Sequence, residues 1–265
     1  LEVNSKIYFN TNLAPNAAYV STLVQNNAEK YAESSDMNKY GARFKYSKFL
    51  NIIDQSNESI TSNITTVYIR RDIRAVLNAF AEYQIGFGNE FHIKSMSGYN
   101  IKSSAFKIAG VMDDVYISDI PNTNRLTGSL FLFSLPSIES QSPTIIKRNV
   151  GTIDYKSGII TINPINIQSG MIKDGQTIIE ISACPLSNDV IGLQDLYLQL
   201  DISNSLFETV VDEIASGLDP SGSNYITSSS YANGNLVRAG GRNSDVTTTN
   251  TSGSVPSTGG SGATT

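Results

Sequence analysis

Residues that could do chemistry are few in this chain. His92 is the only histidine and Cys184 the only cysteine among 265 residues. A two-histidine metal site or a mixed Cys/His zinc cluster therefore cannot form within one chain. His92 lies in the glycine-flanked stretch GFGNEFHIKS, which has no nucleophile-elbow sequence, and reads as a partly exposed loop histidine rather than a triad member. Cys184, just before Pro185, reads as a small buried residue; a lone cysteine excludes an internal disulfide framework and fits a reducing compartment. Asp113, Asp114 and Asp119 could offer oxygens to a hard cation. No calcium loop with its terminal glutamate surrounds them, so they read as a solvated acidic turn. Gly86-x-Gly88 lacks the third glycine and the following helix of a dinucleotide fingerprint, and there is no P-loop. The expectation is a protein with no catalytic residue, no metal and no cofactor.

Charge points to recognition instead. The chain carries a net charge of −5, which gives no general attraction to nucleic acid. Between Asn38 and Arg74, however, Lys39, Arg43, Lys45, Lys48, Arg70, Arg71 and Arg74 outnumber Asp54, Glu58 and Asp72. A nucleic-acid surface would need exposed aromatics between these cations. Phe44, Tyr46 and Tyr68 are near, but Tyr46 falls on the apolar helical face. A solvated basic face and a complementary protein contact remain, and arginine is enriched in protein interfaces. The candidate interface comprises Arg70, Arg71, Arg74 and Tyr68, with Tyr225 and Tyr231 as anchors further along.

The elements that must hold these residues follow from periodicity. Hydrophobic residues make up 40 % of the chain, enough for a core, while charged residues are only 16 % against a usual figure of about a quarter. Such a surface, rich in Asn, Ser, Thr and Gly, suits a subunit packed among others. No stretch approaches the roughly 18 apolar residues of a membrane span, and no charged and apolar leader is evident. The chain opens at Leu1, already strand-like, as expected of part of a longer polypeptide.

Val3 to Asn10 alternates as a strand with one face covered. Pro15 suits a first helical turn, and Ala17, Val20, Leu23, Val24, Ala28 and Tyr31 form one stripe of a helix reaching about Ser34. Ala42, Tyr46, Phe49, Leu50 and Ile53 mark a second helix, and Ile64 to Ile69 a strand. Ala79 to Ile85 gives another strand, stopped by Gly86 and Gly88. Later runs, Phe106–Ala109, Val115–Ile117, Ser129–Phe133, Thr144–Arg148, Ile172–Ala183 and Tyr197–Ile202, are β-like. Val150 to Ile162 reads as a hairpin turning before Gly158. Ser205 and Glu208 have capping-box spacing, which predicts a short helix from Ser205 to Ser216 that stops at Gly217 and Pro220. Beyond that the chain is nearly all Ser, Thr, Gly and Asn. It is expected to lie extended along a neighbour over 220–240 and to be disordered after that.

The resulting fold class is α+β. A two-layer α/β sandwich over 1–95, in the order β-α-α-β-β, precedes a β-rich region over 96–217 and an extended low-complexity tail over 218–265.

The helix FKYSKFLNIID, its polar turn and the strand ITSNITTVYIRRDI carry a family resemblance. They resemble the C-terminal region of the large baseplate wedge subunit of T-even-type contractile-tailed phages, a subunit related to the baseplate J-like proteins. The resemblance spans residues 1–95, and Val150–Ile162 is similar to a hairpin of the same family. It implies a structural subunit of the virion tail baseplate, assembled in the host cytoplasm. Its partners would be other wedge proteins and copies of itself in neighbouring wedges, joined by a homodimer contact, with no role for nucleic acid. The front sheet would leave the Val3–Asn10 and Ile64–Ile69 strands as edges, free of proline and with Lys6 as their only charge, to make that contact. The rival reading is a carbohydrate- or receptor-binding module of a phage tail, opposed by the absence of tryptophan.

Overall fold

The structure is a computed structural model that describes residues 1–135, 142–193 and 197–218, and the backbone of residues 231–232 and 235–236. Its elements in chain order are β1 (Glu2–Phe9), α1 (Ala17–Ala32), β2 (Arg43–Phe44), α2 (Tyr46–Asp54), β3 (Ile60–Arg74) and β4 (Phe80–Gly86). There follow β5 (Ile101–Ser103), β6 (Lys107–Ile108), β7 (Val115–Pro121), β8 (Thr127–Ser134), β9 (Thr144–Asp154) and β10 (Ile159–Ser169). The last are β11 (Met171–Lys173), β12 (Gln176–Ala183), β13 (Val190–Ile191), β14 (Leu206–Val211), β15 (Tyr231–Ala232) and β16 (Asn235–Leu236). Residues 1–217 form one compact unit. In the second unit, 218–265, β15 and β16 pair antiparallel, and the predicted disorder beyond 240 lies outside the described residues.

Among the described residues the fold is mainly β, with 47 % strand against 12 % helix, so the predicted α+β sandwich is overturned. The reason is nonlocal pairing. β1 and β3 pair as an antiparallel couple, but β14 adds to β1 in parallel and β12 adds to the end of β3, with β5 and β11 completing a six-stranded sheet. β4 leaves this sheet for another, ordered β4-β10-β9-β8-β7, with β6 paired to β10. Thus β1 is an interior strand, between β3 and β14, and the free edge predicted for it does not exist, whereas β3 pairs with β1 over Ile60–Tyr68 and with β12 over Ile69–Arg74.

Alternation in β1 holds as predicted: Val3, Ser5, Ile7 and Phe9 are buried. Ser5 is tolerated there because its hydroxyl pairs at 2.9 Å with that of Thr65, its cross-strand partner. In α1, Val20, Val24, Ala28 and Tyr31 face the core; Asn16 caps the helix by accepting from the Tyr19 amide, so Pro15 stands outside the first turn. α2 begins only at Tyr46. Ala42 and Phe44, predicted as helical, are buried in or beside β2, which pairs with β13. The α2 N-terminus has no cap of its own, and Asp189 accepts from the Tyr46 amide at 2.8 Å instead.

Three further expectations fail. Ser205–Ser216 is not a helix: Leu206–Val211 is β14, because an aromatic and β-branched run found the open side of β1, and tertiary pairing outweighs a capping signal. The Ser205 hydroxyl still accepts a backbone N–H, but from Val3 at 3.0 Å. Ile172–Ala183 is two strands, since Asp174 and Gly175, both at positive φ, form a hairpin turn. Tyr197–Ile202 is irregular, tied at its start by a single bridge from Tyr197 to Tyr40. The Val150–Ile162 hairpin holds, with Gly158 at φ +65° closing its turn.

Asp119 corrects the acidic-turn reading. It is fully buried in the middle of β7. Its carboxylate accepts from the Asn100 and Ile101 amides and the Asn100 side chain at 2.8 Å each, and from the Tyr155 hydroxyl at 2.5 Å. Burial, reinforced by Asp119, pushes the Tyr155 phenol well above its ordinary range. These bonds fasten the 95–101 loop across β7 and seal that edge. Asp119→Ala strands several buried donors and is expected to cost about 3–5 kcal/mol in urea denaturation, while Tyr155→Phe costs about 1–3 kcal/mol.

Candidate interaction surface

The arginines of β3 were expected on a rim, but they point to different places. Arg70 is largely buried, its side chain 14 % exposed, and it ties four carboxylates. It pairs with Glu2 of β1, with Asp201 at 2.8 Å, with Asp72 at 3.6 Å and with Glu180 of β12 at 3.7 Å. Asp72 also receives Lys173 at 2.9 Å. Burial acts to lower the Arg70 pKa, but Glu2, Glu180 and Asp201 outweigh it and keep the cation secure. Burial likewise acts to raise Asp201, yet hydrogen bonds from Asn204 and Arg70 prevail and hold its carboxyl below the usual range. Arg71 donates to the Gly86 carbonyl, closing the end of β4. Arg74 is exposed at the end of β3.

Tyr68 is half-buried opposite Glu2 in the β1–β3 register and lies beside Cys184. Tyr225 lies outside the described residues. Tyr231 opens β15, opposite Leu236.

The two residues singled out for chemistry meet through the backbone: the His92 amide donates to the Cys184 carbonyl at 2.8 Å. The imidazole is exposed, and burial pushes the half-buried Cys184 thiol up, the opposite of what a thiolate nucleophile needs. Asp113 and Asp114 are exposed, and among the described residues no group of three or more His, Cys, Asp or Glu is placed to hold a metal ion. No helix among the described residues is long and apolar enough to cross a membrane.

Around Arg70 the surface is of a kind suited to binding. A cleft of about 350 Å³ is lined by Arg70, Asp72 and Asp201 together with Val190, Ile191 and Tyr197. Tyr197 and Tyr40 pack with ring centroids 4.0 Å apart and ring planes tilted by 49°, while remaining 54 % and 62 % exposed. Tyrosines that pack each other yet face solvent are pre-ordered anchors, and tyrosine and arginine are enriched among the residues that dominate interface energetics. Part of the basic bias of the 38–74 segment is answered by acids from elsewhere, since Arg43 meets Asp189 and Lys48 meets Asp36. Sequence reasoning missed Tyr40 and Tyr197, which are brought together from distant segments, and the Arg70 partners Glu180 and Asp201. Glu2 was accessible from the β1–β3 register, and Asp119 from its position inside an apolar run.

Residues 1–72, from β1 to within β3, match the family model for the baseplate structural protein gp6, C-terminal domain III. The match places the chain in the tail baseplate of a phage virion, as a structural protein. No curated protein matches the chain. The matched baseplate segment supplies β1, β3 and both helices, but its sheet is completed by β12 and β14 from beyond it.

The Arg70 cluster sets an acid limit on this baseplate protein. Asp201 has its folded pKa depressed, so its contribution is complete above the unfolded carboxylate value of about 4 and is lost as pH falls through the folded one. The urea midpoint is expected to fall from about pH 5 towards about pH 3, and less steeply in Arg70→Met. That variant, which leaves part-buried carboxylates unpaired, is expected to lose about 3–5 kcal/mol at neutral pH.

Proposed function

We propose that the chain is the C-terminal part of a baseplate wedge subunit whose work is binding rather than catalysis. It makes the protein–protein contacts that build wedges and close the baseplate ring. Its partners are other wedge proteins and copies of itself in neighbouring wedges. The observation that carries this reading is the match of residues 1–72 to a baseplate structural domain. The kinship with baseplate J-like proteins is part of the same proposal.

The cleft region supports it physically. Tyr40 and Tyr197 provide exposed anchors, and Arg74 supplies an unburied cation beyond them in β3. Arg70 and Arg71 serve the contact by shaping the surface, because their guanidinium groups are engaged within the chain. Since β1 has strands on both sides, the contact uses these side chains rather than a β1 edge. A twofold contact stable by itself buries on the order of 1,600 Å², whereas a smaller one gains strength from repetition round a ring.

Tyr40→Ala combined with Tyr197→Ala, and separately Arg74→Glu, are expected to leave the thermal midpoint of the chain nearly unchanged. Both are expected to slow or abolish ring closure from purified wedges, read by sedimentation and electron microscopy. Rings that close as readily with both variants would remove this surface from the interface.

A further inference from the structure

Within the second sheet β4 pairs with β10 alone, so its other side is an edge. Which backbone groups it turns outward follows from the ladder. The Phe87 amide donates to the Gly158 carbonyl at 2.8 Å, and antiparallel partners exchange such bonds at every second residue. Ile85 and Tyr83 therefore bond β10, while Gly86, Gln84 and Glu82 present their N–H and C=O groups to the edge. Arg71 agrees with this parity, since the Gly86 carbonyl is the group it donates to. Among the described residues nothing pairs with the outward backbone groups of Gln84 and Glu82.

Soluble proteins normally guard such an edge with proline, a bulge, shortness or charge. β4 runs from Phe80 to Gly86 without proline, and the extra residues at the Ile162/Ile165 register shift belong to β10. Its one charge is Glu82, exposed and without an ion-pair partner among the described residues. Phe80, two residues earlier on the same face, is 76 % exposed. We infer that the outer edge of β4 takes up an extended segment of a neighbouring protein as an added strand, with a lysine or arginine opposite Glu82 and an apolar residue two positions away opposite Phe80. Backbone donors and acceptors at strand spacing are matched together by another extended backbone, which a helix does not offer. The carboxylate in mid-strand sets the charge, because opposite charges across a strand pair stabilise it and like charges do not. The inference rests on the reading of the chain as a binder of protein neighbours, but it uses β4 rather than the Tyr40–Tyr197 pair and its test needs no ring, so the two can fail separately.

The probe is a short blocked peptide of alternating valine and threonine about a central lysine, with valine two residues to either side of it. Titrated into the full chain, it is expected to shift the NMR amide signals of Glu82 and Gln84 saturably and to bind about fivefold tighter than the same peptide with a central glutamate. Glu82→Lys should reverse that preference. Gln84→Pro, which removes an outward N–H and spares the β10 ladder, should abolish binding at a nearly unchanged melting temperature, as should N-methylation of the peptide amides. No saturable shift at β4, equal affinity for the two peptides, a preference unmoved by Glu82→Lys, or binding that survives N-methylation or a folded Gln84→Pro would each overturn the added strand. Should Gln84→Pro fail to fold, the N-methylated peptide decides the matter.

Discussion

One guanidinium holds the first sheet to the segments that complete it. Arg70 sits in β3 just after the strand stops pairing with β1 and begins pairing with β12, and its carboxylate partners come from β1, β12, β3 itself and the 201 turn. A cation in that position cannot be replaced by a neutral residue without stranding part-buried carboxylates, so the pairing of distant strands and the ionisation of the cluster are linked. The cleft with Tyr197 is built on the same residues, which makes the proposed contact surface dependent on this interaction as well.

The second sheet uses a different device for the same problem. Its strands β7 to β10 run as an antiparallel meander, a locally connected arrangement, and the difficulty lies at the β7 edge. Asp119 resolves it by turning a carboxylate towards the loop that lies across the edge and accepting four hydrogen bonds. Gly98 is needed in that loop, since at φ +98° a side chain there would collide with the Asp119 carbonyl. One edge of this sheet is thus sealed by a loop, and Arg71 donates to the Gly86 carbonyl at the end of β4.

Much was legible in the sequence because it depended on near neighbours along the chain. Period located β1, α1 and the core of α2, and turn residues located the Val150–Ile162 hairpin. The residues 38–74 pattern carried the baseplate resemblance that the 1–72 match supports. The scarcity of histidine and cysteine turned attention from chemistry towards recognition. Tertiary structure decided what depended on partners distant in sequence. It made Leu206–Val211 a strand, since the gain from pairing with β1 exceeds a helix cap, and it enlarged a small front sheet into a six-stranded one, changing the fold class to mainly β. It also turned Arg70 from a rim cation into a buried hub, because three of its four acids are separated from it by more than sixty residues and no local pattern records them. Side-chain period depends on nearest neighbours and can be read from the chain; strand partners and charge partners are chosen in space.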